Sequence, residues 1–302
     1  MRTLYKYYKC LPDDYLLNPT LKLACPEHLN DPFESSISKF ISEIPEQVDT
    51  RLEYLKAVVN HVGLSRALSN TGVISMCETH RNLLMWAHYA NEHNGFVIGY
   101  KDDILKDKFN ERITHIHNIS KEPLKVNYDT IRFDSKSERE YINSHKKAIR
   151  KILTTKGDDW IYEKEHRYLI PIYLADSIFK KRSERNEEDE EIINNLISKS
   201  LLVKDDLSKK VYFKDRFTEA PYLIGRLEEE VSQLIKTNHT FYINIDPSYI
   251  TSVYFGCRYP KTSRLKWLTL IREQNERLSH IKLYQYEISK SDFSLIYEDY
   301  SG

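Results

Sequence analysis

The segment from Trp160 to Arg167 constrains the fold of this chain more than any other. It places two acids, an arginine and two large aromatic residues within eight positions, and an apolar stretch follows as far as Tyr173. In a strand over Trp160–Tyr173 the side chains would alternate between two faces, so Glu163, Glu165 and Arg167 would point to one side. Same-face neighbours lie roughly 7 Å apart, which suits either an exposed ladder of charges or the wall of a polar cleft. We predict a strand here and keep both interpretations of its charged face.

Composition excludes several classes of protein. The 302 residues include 45 Lys plus Arg and 45 Asp plus Glu, so the chain has no global basic field to drive nonspecific binding of nucleic acid. Its 8 glycines form no glycine-rich phosphate loop. The 4 cysteines contain no Cys-x-x-Cys pair, which favours a reduced compartment over a disulfide framework. Because no apolar run reaches signal-peptide or membrane-span length, we expect a cytoplasmic protein without a membrane partner.

Hydrophobic periodicity predicts alternating strands and helices. Helices are expected over about Gln47–Ser69, Asn82–His93, Ser135–Thr155 and Thr262–Arg277. Besides Trp160–Tyr173, short strands are expected at Thr3–Tyr8, Leu21–Cys25, Val73–Cys77, Phe96–Tyr100, Pro123–Tyr128, Thr240–Ile245, Ser252–Phe255 and Ile281–Ile288. The sum is an α+β fold with a mixed, mainly antiparallel central sheet and flanking helices.

A change of composition after residue 175 predicts the domain organisation. Lys180–Glu191 is a basic block followed by an acidic one, which is typical of a solvated loop or helix start. We therefore divide the chain into a main α+β domain at 1–175, a charged helical insertion at 176–239, and a strand-helix-strand at 240–302 that completes the main domain.

The helix predicted at Asn82–His93 has apolar residues on two sides. Trp86 and Tyr89 share one stripe, while His88 lies on the opposite, less apolar side. We expect this helix to be largely buried, so His88 would need a hydrogen-bond partner. Two interpretations remain for His88: a structural histidine, or an acid/base group that titrates near neutral pH.

Metal and nucleophile motifs are scarce. The chain contains no His-Glu-x-x-His and no Gly-x-Ser-x-Gly, so we predict no metal site and no nucleophile elbow. Cys77 lies at the end of a predicted strand, a position where a nucleophile can sit, but the sequence offers no evident base for it. A buried structural cysteine is the simpler interpretation.

Several short motifs together resemble the bacterial domain-of-unknown-function family numbered 2971. They are a Leu-Tyr-Lys-Tyr start, Leu29–Glu34 (Leu-Asn-Asp-Pro-Phe-Glu), Met85–Ala90 (Met-Trp-Ala-His-Tyr-Ala), Val126-x-Tyr128, and Trp160-x-Tyr-Glu-x-Glu-x-Arg167. The resemblance runs from Leu4 to about Ile172 and resumes near Ile250–Gly256. It implies a bacterial cytoplasmic protein, with defence and mobile-element settings among those of the family, and it carries over no activity.

A looser resemblance is to the ADP-ribosyltransferase-like fold, whose members include toxins and defence effectors. Glu163-Lys164-Glu165 resembles the Glu-x-Glu of that fold, Tyr5–Tyr7 its first-strand motif, and Ser75–Thr79 its middle strand. The resemblance implies NAD as the substrate, Glu165 as the catalytic carboxylate, Glu163 as the group that orients the acceptor, and Trp86 or Tyr89 as pocket lining. The chain departs from the pattern where Tyr5 or Lys6 stands in place of a histidine or arginine.

Two other classes remain open. A magnesium-dependent nuclease would need an acid followed by Glu-x-Lys; Asp158 or Asp159 could supply the acid, but Glu165-x-Arg167 lacks the lysine. A non-enzymatic protein would use the same polar residues to stabilise the sheet or to bind a ligand or partner.

The predicted site gathers residues from four segments. Its catalytic members are Glu163, Glu165 and His88, and its ligand-binding members are Tyr5, Lys6, Asn30, Asp31, Glu34, Trp86, Tyr89, Trp160 and Arg167. The expected ligand is a small molecule or nucleotide, NAD under the transferase interpretation, with a nucleic acid or a protein as the acceptor.

Overall fold

The protein is an α+β structure built on two main β-sheets. The computed structural model describes residues 2–34, 51–109, 111, 119–132, 145–205, 211–213 and 231–300. Within these ranges the strands are β1 Thr3–Tyr8, β2 Thr20–Leu23, β3 Thr71–Cys77, β4 Phe96–Lys101, β5 Leu124–Lys125, β6 Asn127–Asp129, β7 Thr155–Gly157, β8 Glu165–Pro171, β9 Ser177–Phe179, β10 Leu202–Lys204, β11 Val211–Phe213, β12 Thr240–Asn244, β13 Ile250–Phe255, β14 Lys282–Ile288 and β15 Leu295–Asp299. The helices are α1 Arg51–Ser69, α2 Leu83–Tyr89, α3 His145–Leu153, α4 Glu187–Ser198, α5 Lys261–Glu273 and α6 Asn275–Leu278.

The larger sheet has eight strands in the order β15-β14-β13-β4-β1-β3-β8-β5. Its neighbouring strands are antiparallel except for β13 and β14, which are parallel and are connected through α5 and α6. The second sheet has the order β10-β11-β9-β12-β2, and β6 pairs with β7 in a separate two-stranded sheet. The mixed, mainly antiparallel sheet predicted from the sequence is confirmed.

One face of the eight-stranded sheet forms the main core. Leu4, Ile98 and Ile74 point to this face and are fully buried against residues of the second sheet, including Phe241 and Ile243. Because side chains alternate along a strand, the opposite face carries Tyr5 and Tyr7 of β1, Cys77 of β3 and Glu165 of β8. We call this the open face. The two faces thus separate the core from the polar residues.

Helices cover the open face unevenly. At the β3–β8 end, Leu64 and Leu68 of α1 and Ile149 and Ile152 of α3 pack in a buried cluster with sheet residues. Near the centre, Trp86 of α2 packs in a second cluster with Tyr7 and Tyr286. Between and beyond these helices the face is less covered, and it is there that the polar and aromatic side chains lie.

Two of the predicted elements begin or end elsewhere. The strand predicted at Trp160–Tyr173 starts at Glu165, because Asp158–Glu163 forms a 3₁₀-helix and Lys164 adopts a left-handed conformation with φ 46°. The helix predicted at Asn82–His93 ends at Tyr89, and the next turns are made by Asn91, Glu92 and His93 with positive φ. Both differences come from left-handed residues other than glycine, which sequence patterns rarely indicate.

Other predicted elements are shifted or divided. The strand predicted at Leu21–Cys25 becomes β2 and joins the second sheet, while that at Pro123–Tyr128 divides into β5 and β6 in different sheets. Parts of two predicted helices, residues 47–50 and 135–144, lie outside the described residues; the second helix ends at Leu153 because Thr155 begins β7.

The region at 176–239 contributes strands as well as a helix. β9, β10 and β11 lie in it, and β9 pairs with β12, which belongs to the region after residue 239. The acidic segment forms α4, whose N-terminus has a capping box between Asn186 and Asp189. Among the described residues, no helix combines the length and apolar character needed to cross a membrane.

Candidate functional site

The strand register brings the predicted acidic residues onto the open face. Glu165 lies directly opposite Cys77, and Arg167 lies opposite Ser75, so all four side chains share this face. Cys77 in turn lies opposite Tyr5, the single position at which β1 and β3 pair. Beyond this position the two strands diverge.

A pocket occupies the gap between the diverging strands. It has a cavity volume of about 170 Å³. Its walls come from β1, β3, β7 and β8, the segment before α1, helix α2, and the turn that precedes β8. The lining residues are Tyr5, Lys6, Tyr7, His28, Leu29, Asn30, Glu34, Ser75, Met76, Cys77, Met85, Tyr89, Lys156, Glu163, Glu165 and Arg167.

Arg167 is fully buried beneath this pocket, and each of its three side-chain nitrogens donates a hydrogen bond. Nε donates to Oε1 of Glu165 at 2.8 Å and Nη2 donates to Oε2 at 2.7 Å, a two-point contact with one carboxylate. Nη2 also donates to Oε1 of Glu34, and Nη1 donates to the carbonyl oxygen of Leu153 at 2.8 Å. Arg167 therefore joins two carboxylates from distant segments.

The third carboxylate, Glu163, is held by two other donors. Lys156 Nζ donates to Oε2 of Glu163 at 2.7 Å, and the Tyr89 hydroxyl donates to Oε1 at 2.5 Å. Lys156 is also 3.6 Å from Oε2 of Glu165, and its Nζ lies 4.4 Å from the centre of the Trp160 ring. Lys156 thus links Glu163 to the Arg167 cluster, and the three glutamates form one buried ionic network.

The two carboxylates that share Arg167 differ in acidity. Burial alone would raise the pKa of Glu165, but the charge and hydrogen bonds of Arg167, with Lys156 beside it, lower it to about 2. Burial raises the pKa of Glu34 above its ordinary value despite the attraction of the same two cations. Glu165 is therefore ionised at neutral pH, while Glu34 binds a proton more readily than an ordinary glutamate.

Lys6 reaches into the pocket from between the strands. Its Nζ donates to the carbonyl oxygen of Ser75 at 2.8 Å, which bridges β1 and β3 where they no longer pair. Burial lowers the pKa of Lys6 to about 8, partly offset by the charge of Glu165. The pocket thus contains an amine that titrates close to the physiological range.

Cys77 lines the pocket but is not activated. Its thiol is buried and donates to the carbonyl oxygen of Thr79 at 3.1 Å. Burial raises the pKa of Cys77 to about 12, so the thiol is protonated at neutral pH. This agrees with a structural cysteine.

Most of the residues predicted from the sequence do meet at this pocket. Those that line it are Tyr5, Lys6, Asn30, Glu34, Tyr89, Glu163, Glu165 and Arg167. Asn30 is connected to the network because its side-chain nitrogen donates to the Tyr89 hydroxyl at 3.1 Å. Glu163 arrives by a route other than the predicted one: it ends a 3₁₀-helix, and the left-handed Lys164 turns the chain so that both glutamates face the cavity.

Four predicted site residues do not line the pocket. His88 is exposed on α2 and contacts the rings of Tyr89 and Tyr162, so the expectation that it is buried was wrong. Trp86 is fully buried behind the pocket in the core under α2, where its indole nitrogen donates to the carbonyl oxygen of His80. Asp31 is buried and accepts from the backbone of Phe33, and it borders a neighbouring cavity instead. Since α2 packs on the sheet with the face that carries Trp86, the opposite face with His88 is left exposed.

Trp160 acts from outside the pocket. Its ring packs on Lys156, so Trp160 contacts the ionic network only through that lysine. The sequence did not indicate that Lys156 lines the pocket. It also did not indicate this for Met85, Tyr7 and His28. The alternation of side chains along β1 could have indicated that Tyr7 faces the pocket, since it shares a face with Tyr5. The spacing of Lys156 and Glu163 does not indicate that they pair, because a 3₁₀-helix brings them together.

Most of the charged groups at the pocket are paired with one another. Among the described residues, no group of three or more His, Cys, Asp or Glu side chains is placed to hold a metal ion. The three glutamates are instead ion-paired with Arg167 and Lys156. Chemically, the pocket offers a fixed negative charge, a carboxyl group of raised pKa and tyrosine rings around a small cavity.

Comparison with known proteins finds a similarity for one segment of the chain. No curated protein and no solved structure matches the chain. Residues 85–168, which extend from α2 into β8, match the model of a family described as a protein of unknown function (DUF2971). The match covers three of the motifs that carry the resemblance, Met85–Ala90, Val126-x-Tyr128 and Trp160–Arg167, and includes six of the pocket-lining residues, so the family to which this segment is similar is DUF2971.

Proposed function

We propose that the pocket binds a pyridine dinucleotide such as NAD and cleaves the bond between nicotinamide and ribose, with transfer of the ADP-ribosyl group to water or to an acceptor. The observation that carries this proposal is the pairing of Glu165 and Glu34 on Arg167. Two carboxyl groups whose surroundings move their pKa values in opposite directions are a recurring arrangement in acid/base sites.

The chemistry assigns a different task to each carboxyl group. When the carbon–nitrogen bond breaks, its electron pair leaves with nicotinamide, which becomes neutral, and positive charge develops on the ribose. The fixed charge of Glu165 would stabilise that positive charge. The oxygen of the incoming nucleophile then bonds to the ribose carbon and releases its proton, for which Glu34, with its raised pKa, is the suitable acceptor.

The size and lining of the pocket are consistent with one ring of such a ligand. A volume of about 170 Å³ is smaller than the roughly 300–1,000 Å³ of pockets that enclose a whole small molecule. Tyr5 and Tyr89 offer aromatic surface at its wall, and aromatic rings pack favourably on one another. Glu163, fixed by Tyr89 and Lys156, is placed to orient a hydroxyl group of the acceptor or of the ribose.

The test is nicotinamide release from labelled NAD, measured with water alone and with protein and nucleic-acid acceptors. The wild type should release nicotinamide, and Glu165→Gln should lower the rate by roughly 100-fold or more, the usual effect of removing one transition-state contact. Glu188→Gln, an exposed acid on α4, is the matched control and should leave the rate unchanged. Lack of release by the wild type with every acceptor would overturn the proposal.

A second variant protects the test against misfolding, since Glu165→Gln disturbs a buried ion pair. Glu34→Gln removes the proposed proton acceptor and should alter the pH profile of the rate as well as its maximum. Circular dichroism of both variants identifies any loss of fold. A rate profile for Glu34→Gln that coincides with the wild type would contradict the role given to Glu34.

A non-enzymatic binding protein is the second candidate, favoured by the saturation of the network. All three nitrogens of Arg167 donate hydrogen bonds, and both oxygens of Glu165 accept them. Fully satisfied polar networks often serve to specify a fold. In that case NAD or another nucleotide would bind without nicotinamide release, and Glu165→Gln would lower stability rather than a rate.

The nuclease alternative has less support. It requires carboxylates free to hold magnesium, whereas the glutamates at the pocket are engaged by Arg167 and Lys156. Magnesium-dependent cleavage of nucleic acid that is lost in Glu165→Gln would favour it over both other candidates.

A further inference from the structure

A cluster of tyrosines occupies the open face on the far side of β4 from the acidic network. Tyr284 lies beside Tyr254 in the register of β13 and β14, and Tyr297 lies opposite Tyr286 in the register of β14 and β15. We call these four residues the tyrosine platform. His80, in the loop after β3, lies over it.

The rings of the platform are in close contact. The His80 ring is stacked on Tyr254 with centroids 3.9 Å apart, and Tyr254 is stacked on Tyr284 at 4.7 Å. Tyr297 is nearly perpendicular to this stack, at interplanar angles of 82° to Tyr254 and 87° to Tyr284. Tyr297 therefore lies across the edges of the stacked rings.

The outer ring of the platform is accessible. Tyr297 is 36% exposed, in contrast to Tyr286, which is 1% exposed beneath it. Arg81 is also exposed, and its guanidinium carbon lies 5.8 Å from the centre of the Tyr297 ring. An accessible aromatic ring beside a cation is suited to a planar base that carries a phosphate group.

The platform is continuous with the pocket through Tyr5. This residue lines the pocket, and its ring lies 4.8 Å from His80 and 6.0 Å from Tyr254. A dinucleotide is larger than the pocket, so any ligand of that class that inserts one ring must extend beyond it. On the side that begins at Tyr5, the partly exposed rings of Tyr284 and Tyr297 provide aromatic surface for the remainder.

Charge favours the same placement of a phosphate. Burial and the neighbouring Arg81 lower the pKa of His80 to about 4, so at neutral pH its ring is uncharged. Arg81 is then the cation that faces Tyr297, while Asp299 lies opposite Tyr284 at the outer strand. An anionic group is accordingly better placed at the His80 loop than at β15.

We propose that Tyr297 and Arg81 form a second subsite, which binds the adenylate half of the dinucleotide with adenine on the Tyr297 ring and phosphate near Arg81. This subsite rests on the proposed function for the identity of the ligand. It goes beyond that function because it assigns recognition of the adenylate half, which does not react, to Tyr297 and Arg81. Tyr297 lies on β15, at the far edge of the sheet from β8, which carries Glu165.

The test measures binding of AMP, which has no bond to cleave, by isothermal titration calorimetry. Tyr297→Ala and Arg81→Gln should each weaken AMP binding by about 10-fold, within the range for loss of a stacking or charged contact. Tyr297→Phe should retain the affinity because it keeps the ring. Phe293→Ala, which removes a fully exposed ring in the β14–β15 turn, is the matched control and should bind as the wild type does.

A comparison of NAD with nicotinamide mononucleotide separates this subsite from the pocket. The wild type should prefer NAD, and Tyr297→Ala should bind the two alike. Equal AMP affinity in wild type and Tyr297→Ala, or no AMP binding by the wild type at millimolar concentration, would overturn the subsite. Tighter, Tyr297-dependent binding of a single-stranded oligonucleotide would also overturn it, since the platform would then bind a strand.

Failure of the subsite and failure of the proposed function give different results. If the wild type releases no nicotinamide but binds AMP through Tyr297, the subsite stands and the glycosidic activity does not. If nicotinamide is released from NAD with the same KM in Tyr297→Ala as in the wild type, the activity stands and the subsite does not.

Discussion

The buried Arg167 donates two parallel hydrogen bonds to the carboxylate of Glu165, from Nε to Oε1 at 2.8 Å and from Nη2 to Oε2 at 2.7 Å. The two residues are adjacent on one face of β8, so the strand itself sets their spacing. Since the same guanidinium also binds Glu34, the pKa values of both carboxyl groups depend on Arg167.

Arg167→Met should destabilise the protein by about 3–5 kcal/mol, because it leaves buried carboxylates without their cation. Urea unfolding followed by circular dichroism measures the change. Lys266→Met is the control: it breaks the ion pair with Asp13, whose members are 63% and 73% exposed, and should leave the unfolding midpoint unchanged. An equal response of the two variants would contradict a central role for Arg167.

The two carboxyl groups should affect stability with opposite pH dependence. The pKa of Glu165 is about 2 in the folded protein, below its ordinary 4.5, so its stabilising contribution is present above about pH 4.5 and is lost as the pH falls toward 2. The pKa of Glu34 is raised, so its contribution is present at low pH and is lost as the pH rises above 4.5. The measurement is the free energy of unfolding in urea between pH 3 and 8. In Glu165→Gln, this free energy should rise less between pH 3 and 4.5 than in the wild type. In Glu34→Gln, it should fall less above pH 4.5 than in the wild type. Parallel curves would refute this assignment.

Lys6 should produce a further change at alkaline pH. Its pKa is about 8 in the folded protein and 10.5 in the unfolded chain, so the unfolded chain binds more protons between these values and stability contributed by Lys6 rises with pH. Lys6→Met should abolish this rise. The comparison is urea unfolding at pH 7.5 and 10, with Lys204→Met, an exposed lysine of β10, as control. A rise that persists in Lys6→Met would assign it to another group.

Tyr89→Phe removes the hydroxyl group that donates to Glu163 at 2.5 Å. Loss of a hydrogen bond to a charged group should cost about 1.5–3 kcal/mol of stability. His88→Ala changes the preceding residue of the same helix, but its side chain is exposed, so the stability should stay within about 0.5 kcal/mol of the wild type. Thermal and urea unfolding of the pair distinguish the polar network from a general effect of mutating α2; a larger loss in His88→Ala would contradict the placement of these residues.

Gly95→Ala should destabilise the protein far more than Gly157→Ala. A Cβ at Gly95 would collide with the carbonyl oxygen of Tyr8 and lie 2.8 Å from that of Ala90, and backbone atoms cannot move aside easily. Overpacking of this kind costs about 1–3 kcal/mol. At Gly157 the nearest atom, in the Trp160 side chain, is 3.8 Å away, so alanine fits. Differential scanning calorimetry of both variants tests the contrast, and similar melting temperatures would refute it.

The sequence predicted the components of the site better than their arrangement. Local motifs indicated Glu165, Arg167, Glu34 and Tyr89, because charged residues within or beside apolar strands need a polar partner and so point to one another. It also predicted the strand β1 with its correct ends and the mixed, mainly antiparallel sheet, because alternation of apolar residues is a local property of the chain.

Only the tertiary structure decided which charges meet. The left-handed Lys164 turns Glu163 toward the cavity, and the 3₁₀-helix before it brings Lys156 within 2.7 Å of that glutamate; neither effect follows from a regular period. Likewise, the face by which α2 packs on the sheet puts Trp86 in the core and leaves His88 exposed, although both lie in the same motif. Periodicity determines the face of a residue within an element, whereas contacts between distant segments depend on where each element stops and on the strand order, and these are set by packing of the whole chain.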